Sequence, residues 1–250
     1  MLDIFKFLLL LINFSFILGE KCINLDINII QNIEKQGFHR NMVWLIDSHI
    51  PDEKLWTEAS CKVALMLDIP VEMYVDPDQM NDFHRIGKLE VFIDGKVNIE
   101  TVAHQSTTHR VFIYLNKFIL NSKHIETLPI HLRYQKSHLG GYGKVPLSKV
   151  NFLVNCVEHK VCGNYQEIRA PKKRQDVDSV IPWQNITYKG HFDVLELSVP
   201  IGNLEHYPFV VIITYLVGCA GCIYILSILT NTKNKIYNFS IYFSLKLIFI

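Results

Sequence analysis

Asp76-Pro77-Asp78 places two carboxylates in the D-x-D form with which metal-dependent glycosyltransferases hold a sugar nucleotide. Such a pair belongs inside a nucleotide-binding βαβ pattern, and none surrounds it. Pro77 makes it a turn instead, with the aspartates bonding to nearby backbone N–H groups. The chain holds 11 histidines. His104 and His109 fall in a polar connector, and His131 and His138 are seven apart. No pair has the i, i+4 helical spacing beside an acid that a zinc enzyme uses, so they read as dispersed surface residues. A serine hydrolase would need a nucleophile on a strained turn, and no G-x-S-x-G occurs. Lys172-Lys173-Arg174 reads as a solvated basic loop, with anionic lipid headgroups as the alternative contact. The expectation is therefore a protein with no catalytic residue, no cofactor and no metal.

Six cysteines divide into two groups. Cys219 and Cys222 lie in a long apolar run, where C-x-x-C supplies small packing residues rather than redox chemistry. Cys22, Cys61, Cys156 and Cys162 are an even number on one side of that run, as expected for disulfides in an oxidising compartment. Three connectivities are open. The short stretch Val157 to Val161 favours Cys156–Cys162, leaving Cys22–Cys61. A zinc site with His159 falls short of four ligands. Asn185-Ile186-Thr187 is an N-glycosylation sequon on the same side.

The apolar run Phe209 to Leu229 carries no charge, and at about 1.5 Å per residue it spans about 30 Å, a bilayer core. Lys233 and Lys235 follow it and Glu205 and His206 precede it, so the positive-inside rule puts the C-terminus in the cytosol. Leu2 to Leu18, with Lys6 near its start, reads as a secretory signal peptide; Ile17 is bulky for a cleavage site, which leaves an uncleaved anchor as the alternative. The expected organisation is a signal peptide over 1–19, a lumenal domain over 20–207, a membrane helix over 208–230 and a cytosolic tail over 231–250. Ile236 to Ile250 is apolar but broken by Lys246, too short for a comfortable second span. It is either interfacial or an extension foreign to the native chain. Thr214, Gly218 and Cys222 repeat every four residues, with Gly221 beside them, and such a small stripe lets a partner helix approach.

The elements between these features alternate with period two. Val43–Ile46, Val63–Leu67, Val91–Ile93, Val111–Leu115, Ile130–Tyr134, Phe152–Val157 and Val194–Val199 suit strands, separated by Asp76-Pro77, Asp94-Gly95, Gly140-Gly141 and Pro171. Asp94-Gly95 is a plausible hairpin turn between Val91–Ile93 and Val97. Ile29 to Gly37 fits one helical face, although Ile23, Leu25 and Ile27 alternate like a strand. Many short strands and few helical windows predict a mainly β fold, a β-sandwich followed by one transmembrane helix. Net charge is +1 and the hydrophobic fraction 49%, which implies no nucleic-acid partner and fits a membrane-tethered domain. In Leu128-Pro129-Ile130-His131-Leu132-Arg133-Tyr134, one face is Ile130, Leu132 and Tyr134 and the other His131 and Arg133. His131 and Arg133 are the candidate partner contacts, with an ordinary solvent-facing pair as the alternative.

That strand, with His138 and Gly140-Gly141 after it, resembles the signature strand of the PIG-X family. Gly37-Phe38-His39-Arg40, Asp68-Ile69-Pro70 with Tyr74-Val75-Asp76-Pro77, Pro182-Trp183-Gln184-Asn185 with Tyr188-Lys189, and Val199-Pro200-Ile201-Gly202 resemble further family segments, in order, from Cys22 to Leu229. Gln135-Lys136-Ser137 lacks the proline usual after the Arg-Tyr pair, so a looser turn is expected there. The resemblance implies a non-catalytic subunit of the endoplasmic-reticulum enzyme that adds the first mannose to glycosylphosphatidylinositol (GPI) precursors. Its partner would be the multi-span catalytic subunit. Bottom-up, the residues reach only a single-span lumenal binding module; a general lumenal chaperone and a cell-surface receptor ectodomain are the alternatives.

Overall fold

The computed structural model describes residues 22–175, 178–192 and 196–248; the expected signal peptide and the start of strand Val194–Val199 lie outside them. Two sheets carry the fold. The first runs β12-β1-β2-β7-β4, from β1 (Asp26–Glu34), β2 (His39–His49), β4 (Met73–Tyr74), β7 (Lys123–Leu132) and β12 (Lys189–Phe192). The second runs β10-β11-β9-β3-β6-β5, from β3 (Lys62–Ile69), β5 (Glu90–Asp94), β6 (His109–Tyr114), β9 (Asn151–Asn155), β10 (Tyr165–Pro171) and β11 (Val180–Ile186). A two-stranded ribbon pairs β8 (Tyr142–Pro146) with β13 (Glu196–Pro200). Three helices are described: α1 (Glu53–Glu58), α2 (Pro77–Arg85) and α3 (Tyr207–Ile248).

The sheets share one core. Ile27, Ile29, Met42, Trp44 and Ile46 of β1 and β2 pack in the same cluster as Val63, Leu65, Leu67, Ile113, Phe152 and Val154 of the second sheet. A period of two explains it, because alternate side chains of each strand face the partner sheet. β3 departs from polar alternation for a reason. Its other face, Ala64 and Met66, joins Phe112, Tyr114, Leu153, Ala170 and Trp183 in a second cluster. Both faces of this central strand are therefore covered, and its sequence is a continuous apolar run.

The ambiguous segment Ile29 to Gly37 is not a helix. β1 pairs antiparallel with β2 over its full length, Asp26↔His49 to Glu34↔Asn41. Ile27 and Ile29 are 2% and 0% exposed, so the strand period won over a helical spacing carried by only three isoleucines. Asp94-Gly95 does not close a tight hairpin on Val97. β5 pairs instead with β6, Glu90↔Tyr114 to Asp94↔Arg110, across a long connection. Gly95 has φ +119°, and a Cβ there would stand 3.0 Å from His109 Cβ. The glycine lets two strands approach rather than two residues turn.

Asp76-Pro77-Asp78 starts α2. Asp76 Oδ1 accepts from the N–H of Asp78 (2.9 Å) and of Gln79 (3.4 Å), and Pro77 occupies the first turn. The local bonds expected of a turn are thus those of an N-cap. β11 carries Pro182 inside a strand. Its pairing with β9 covers only Gln184 to Ile186, so the missing N–H of Pro182 removes no bond on that side.

Candidate partner-facing site

The antiparallel ladder between β2 and β7 ends at His39↔His131. Past it, backbone bonds carry both registers of β7 one residue further, towards β2 on one side and β4 on the other. The N–H of Leu132 donates to Phe38 O (2.8 Å) and that of Arg133 to Glu72 O (2.7 Å). The strand ends at Leu132, and His131 and Arg133 both lie against the Tyr74 ring. Ile130 and Leu132 are buried as expected, but Tyr134 is 71% exposed and Arg133 only 3%. The solvent-facing Arg133 and inward Tyr134 are thereby corrected: the β5–β6 connection covers Arg133, and Tyr134 lies past the end of the strand.

Arg133 faces protein. Its Nη1 donates to Asn98 O (2.7 Å) and Thr101 O (2.6 Å), and its guanidinium carbon lies 4.5 Å from the centre of the Tyr74 ring. Ala103 N–H donates to Tyr134 O (2.9 Å) beside it. The residue clasps the connection between β5 and β6 to the end of β7, using charge-assisted bonds and a cation–π contact. Burial lowers its pKa, with Tyr74 opposing.

His131 remains at the surface, half-buried. Its ring stacks on Tyr74 (5.0 Å between centres) and meets His39 edge-on (4.6 Å). Its Nε2 lies 3.3 Å from Gln79 Oε1, to which it donates in the corresponding tautomer. Burial, then His39, lowers the His131 pKa, and Asp76 opposes them. Phe38 and Tyr134 lie ring to ring at 4.8 Å. Phe38, His39, Tyr74, Thr101, His131 and Tyr134 border a groove of about 320 Å³. The surface offered here is aromatic and imidazole-rich, not the cationic strand face expected.

His109 belongs to the interior, not to the polar connector expected. It opens β6 at 4% exposure, and its Nε2 accepts the Val75 N–H at 3.4 Å. Burial, then the charge of Arg133, lowers its pKa to about 4 from an ordinary 6.5. The folded state thus binds this proton less readily than the unfolded chain does. Its contribution is complete above about pH 6.5 and is lost as pH falls towards 4, with a ceiling of about 3 kcal/mol. Denaturant titrations across this window should show stability falling on acidification, and His109→Gln should flatten that slope. An unchanged slope in the variant would assign the acid sensitivity to other groups.

The four cysteines pair as Cys22–Cys162 and Cys61–Cys156, which corrects the expected Cys156–Cys162 and Cys22–Cys61. The backbone explains it. Ile23 N–H donates to Lys160 O and Cys162 N–H to Ile23 O, each at 2.9 Å, which sets Cys22 beside Cys162. Lys62 pairs with Asn155, and Val157 N–H donates to Ala59 O, which sets Cys61 beside Cys156. The two ends of the 156–162 stretch are docked on different segments, so they do not meet each other. Among the described residues, no group of three or more His, Cys, Asp or Glu could hold a metal ion.

Asn185 lies in β11, half-buried between Gln166 and Leu153, with Nδ2 donating to Asn151 Oδ1 at 3.1 Å. A groove of about 580 Å³, bordered by Tyr165, Tyr188 and Phe192, adjoins it. Thr187, which completes the sequon, is exposed just past the strand.

A candidate membrane span, Leu204–Thr232, of mean hydropathy 2.4, runs from the 3₁₀ turn Leu204–His206 into α3, with none of its most apolar stretch buried. It continues through the tail as one helix to Ile248. Its hydroxyls bond inward: Thr230 Oγ1 donates to Leu226 O (3.0 Å) and Thr232 Oγ1 to Ile228 O (2.9 Å). This satisfies them without water. Thr214, Gly218 and Cys222 share a stripe by helical period. A Cβ at Gly218 or Gly221 would meet nothing within 4 Å.

The family profile PIG-X / PBN1 matches residues 35–230. A human protein named "GPI alpha-1,4-mannosyltransferase I, stabilizing subunit" is 26% identical over 208 residues, covering 80% of this chain and 78% of its own length. The rat protein of the same name is 26% identical, covering 75% of each chain, and the mouse protein 25%, covering 75% of this chain and 74% of its own. No solved structure matches the chain. The profile runs from the β1–β2 turn through both sheets and into α3, and the chain belongs to the PIG-X / PBN1 family.

Proposed function

We propose that this chain is the non-catalytic, stabilizing subunit of GPI mannosyltransferase I in the endoplasmic-reticulum membrane. The family match over most of the chain carries the reading, with three relatives that share one name. Nothing in those names supports a general chaperone or a receptor ectodomain. The partner is a multi-span catalytic subunit, and sugar transfer belongs to it. Binding favours the folded form of that partner by mass action and covers surfaces that quality control would recognise. The fold crosses the membrane once, with the sandwich lumenal and the C-terminus cytosolic. Lys233 and Lys235 after the span support this, as do two disulfides in the domain before it. Asn185 carries the glycan.

Loss of the protein is expected to lower the amount of the catalytic subunit and of GPI-anchored proteins at the cell surface, measured by immunoblot and flow cytometry. Normal levels of both in a complete knockout would remove the assignment.

The membrane helix contributes to capture through Thr214, Gly218 and Cys222. Close backbone approach supplies attraction between helices in lipid, and leucine at position 218 obstructs it while keeping the segment apolar. Gly218→Leu should insert and acquire its Asn185 glycan normally, yet co-purify several-fold less partner. Val217→Leu, off the stripe, should match wild type. Equal recovery from both variants would reduce the helix to a tether.

A further inference from the structure

The loop before β8 is fastened to the residues that lead into α3. His138 N–H donates to Gly202 O (3.0 Å), Leu204 N–H donates to His138 O (3.3 Å), and His138 bridges Asn203 in parallel. Ser137 Oγ would lie 2.8 Å from a Cβ on Gly202, so the two segments are in contact. Asn203 is followed by one 3₁₀ turn, Leu204–His206, and then by the first residue of α3, Tyr207. At about 2 Å of rise per residue, the bridge lies roughly 8 Å along the chain from the helix start. The loop thus lies beside the start of the candidate span, which is interface depth when that helix crosses a bilayer.

Its side chains suit that depth. Gly140 and Gly141, at φ +87° and +73°, form a tip that residues with a Cβ rarely adopt. Leu139 before it is 61% exposed and Tyr142 after it 66%. On the fastened partner segment Leu204 is 47% and Tyr207 66% exposed. Two apolar and two amphipathic aromatic side chains therefore lie open within one small unit at the mouth of a span. Tyrosine concentrates at the headgroup level, where its ring is apolar and its hydroxyl wet.

We propose that Leu139 and Tyr142, with Leu204 and Tyr207, form a membrane-contacting tip that rests in the lumenal headgroup–acyl boundary. The occupant of this surface is lipid. This rests on the reading of α3 as a membrane span. The tip gives the span a second point of attachment to the bilayer, which restricts rotation of the loop–helix unit.

The experiment uses the full-length protein, without its partner, in nanodiscs of phosphatidylcholine brominated high on the acyl chain. Leu139→Trp and Val217→Trp are compared with wild type by fluorescence; the native Trp44, Trp56 and Trp183 are buried and form the baseline. The expected result is a blue-shifted emission at position 139 with at least half its intensity quenched, and quenching at 217 by lipid brominated deeper. Quenching at 217 with water-like, unquenched emission at 139 would overturn the tip and leave the span intact. Quenching at neither position would overturn both. Protection at 139 that appears only when the partner is added would give the surface to protein and overturn the lipid proposal.

Discussion

Cys22→Ala with Cys162→Ala is expected to lower the stability of the two-sheet domain by about 4 kcal/mol, and removal of both disulfides by roughly twice that. The bridges are nested: one closes 140 residues and the other 95 inside it. With Cys61–Cys156 in place, the shortest path from Cys22 to Cys162 shrinks to about 45 residues. Either bridge alone constrains the unfolded chain in part on behalf of the other. Losses from the two single removals should therefore sum to less than the loss from removing both, by about 1 kcal/mol on the chain-entropy account. Denaturant titration of the three variants measures it. Losses that add strictly, or singles that exceed the double, would place the stabilisation in native contacts instead.

Leu132 and Arg133 are expected to destabilise the domain together rather than to divide into a core residue and a contact residue. Leu132 is 5% exposed in the shared core, and Leu132→Ala should cost about 2–5 kcal/mol. Arg133→Met keeps much of the aliphatic bulk but loses two charge-assisted bonds to Asn98 and Thr101, and should cost about 2 kcal/mol. It should also raise proteolysis within the β5–β6 connection. His131→Ala should change stability by less than 1 kcal/mol or so, since its ring is at the surface. Partner recovery by His131→Ala then reports on contact, whereas recovery by Arg133→Met reports on folding. Wild-type stability of Arg133→Met would refute the clasp.

The sandwich was legible because burial imposes period two wherever one face meets the core. Val43–Ile46 in β2 shows this directly, whereas Val63–Leu67 in β3 and Val111–Leu115 over β6 are covered on both faces and read as continuous apolar runs. β10 and β11 were hidden by composition. Arg169 and Pro171 in one and Pro182 and Asn185 in the other give little alternation, and pairing at the sheet margin holds them as strands. The Asp76 cap was readable as local bonding, but the helix behind it, Pro77–Arg85, buries only Met80 and so lacks a full apolar stripe. At the site, His131 and Arg133 share a face, but only His131 stays at the surface. The sequence pattern gives no sign that Arg133 is covered, because that depends on carbonyls of Asn98 and Thr101, far away in the chain. Disulfide pairing failed for the same reason: proximity came from sheet register, not from spacing.

The nested bridges also set an order of events during synthesis. Cys22 and Cys61 are synthesised first, and neither native partner follows for a long stretch of chain. At about 5–20 residues per second, the 95 residues between Cys61 and Cys156 take roughly 5–20 s. During that interval the two early thiols have each other as the nearest partner. A Cys22–Cys61 bridge formed in that interval would have to be reopened by thiolate attack before Cys156 and Cys162 could take their native partners. Both native bridges can close only after Cys162, when translation is within about 45 residues of α3.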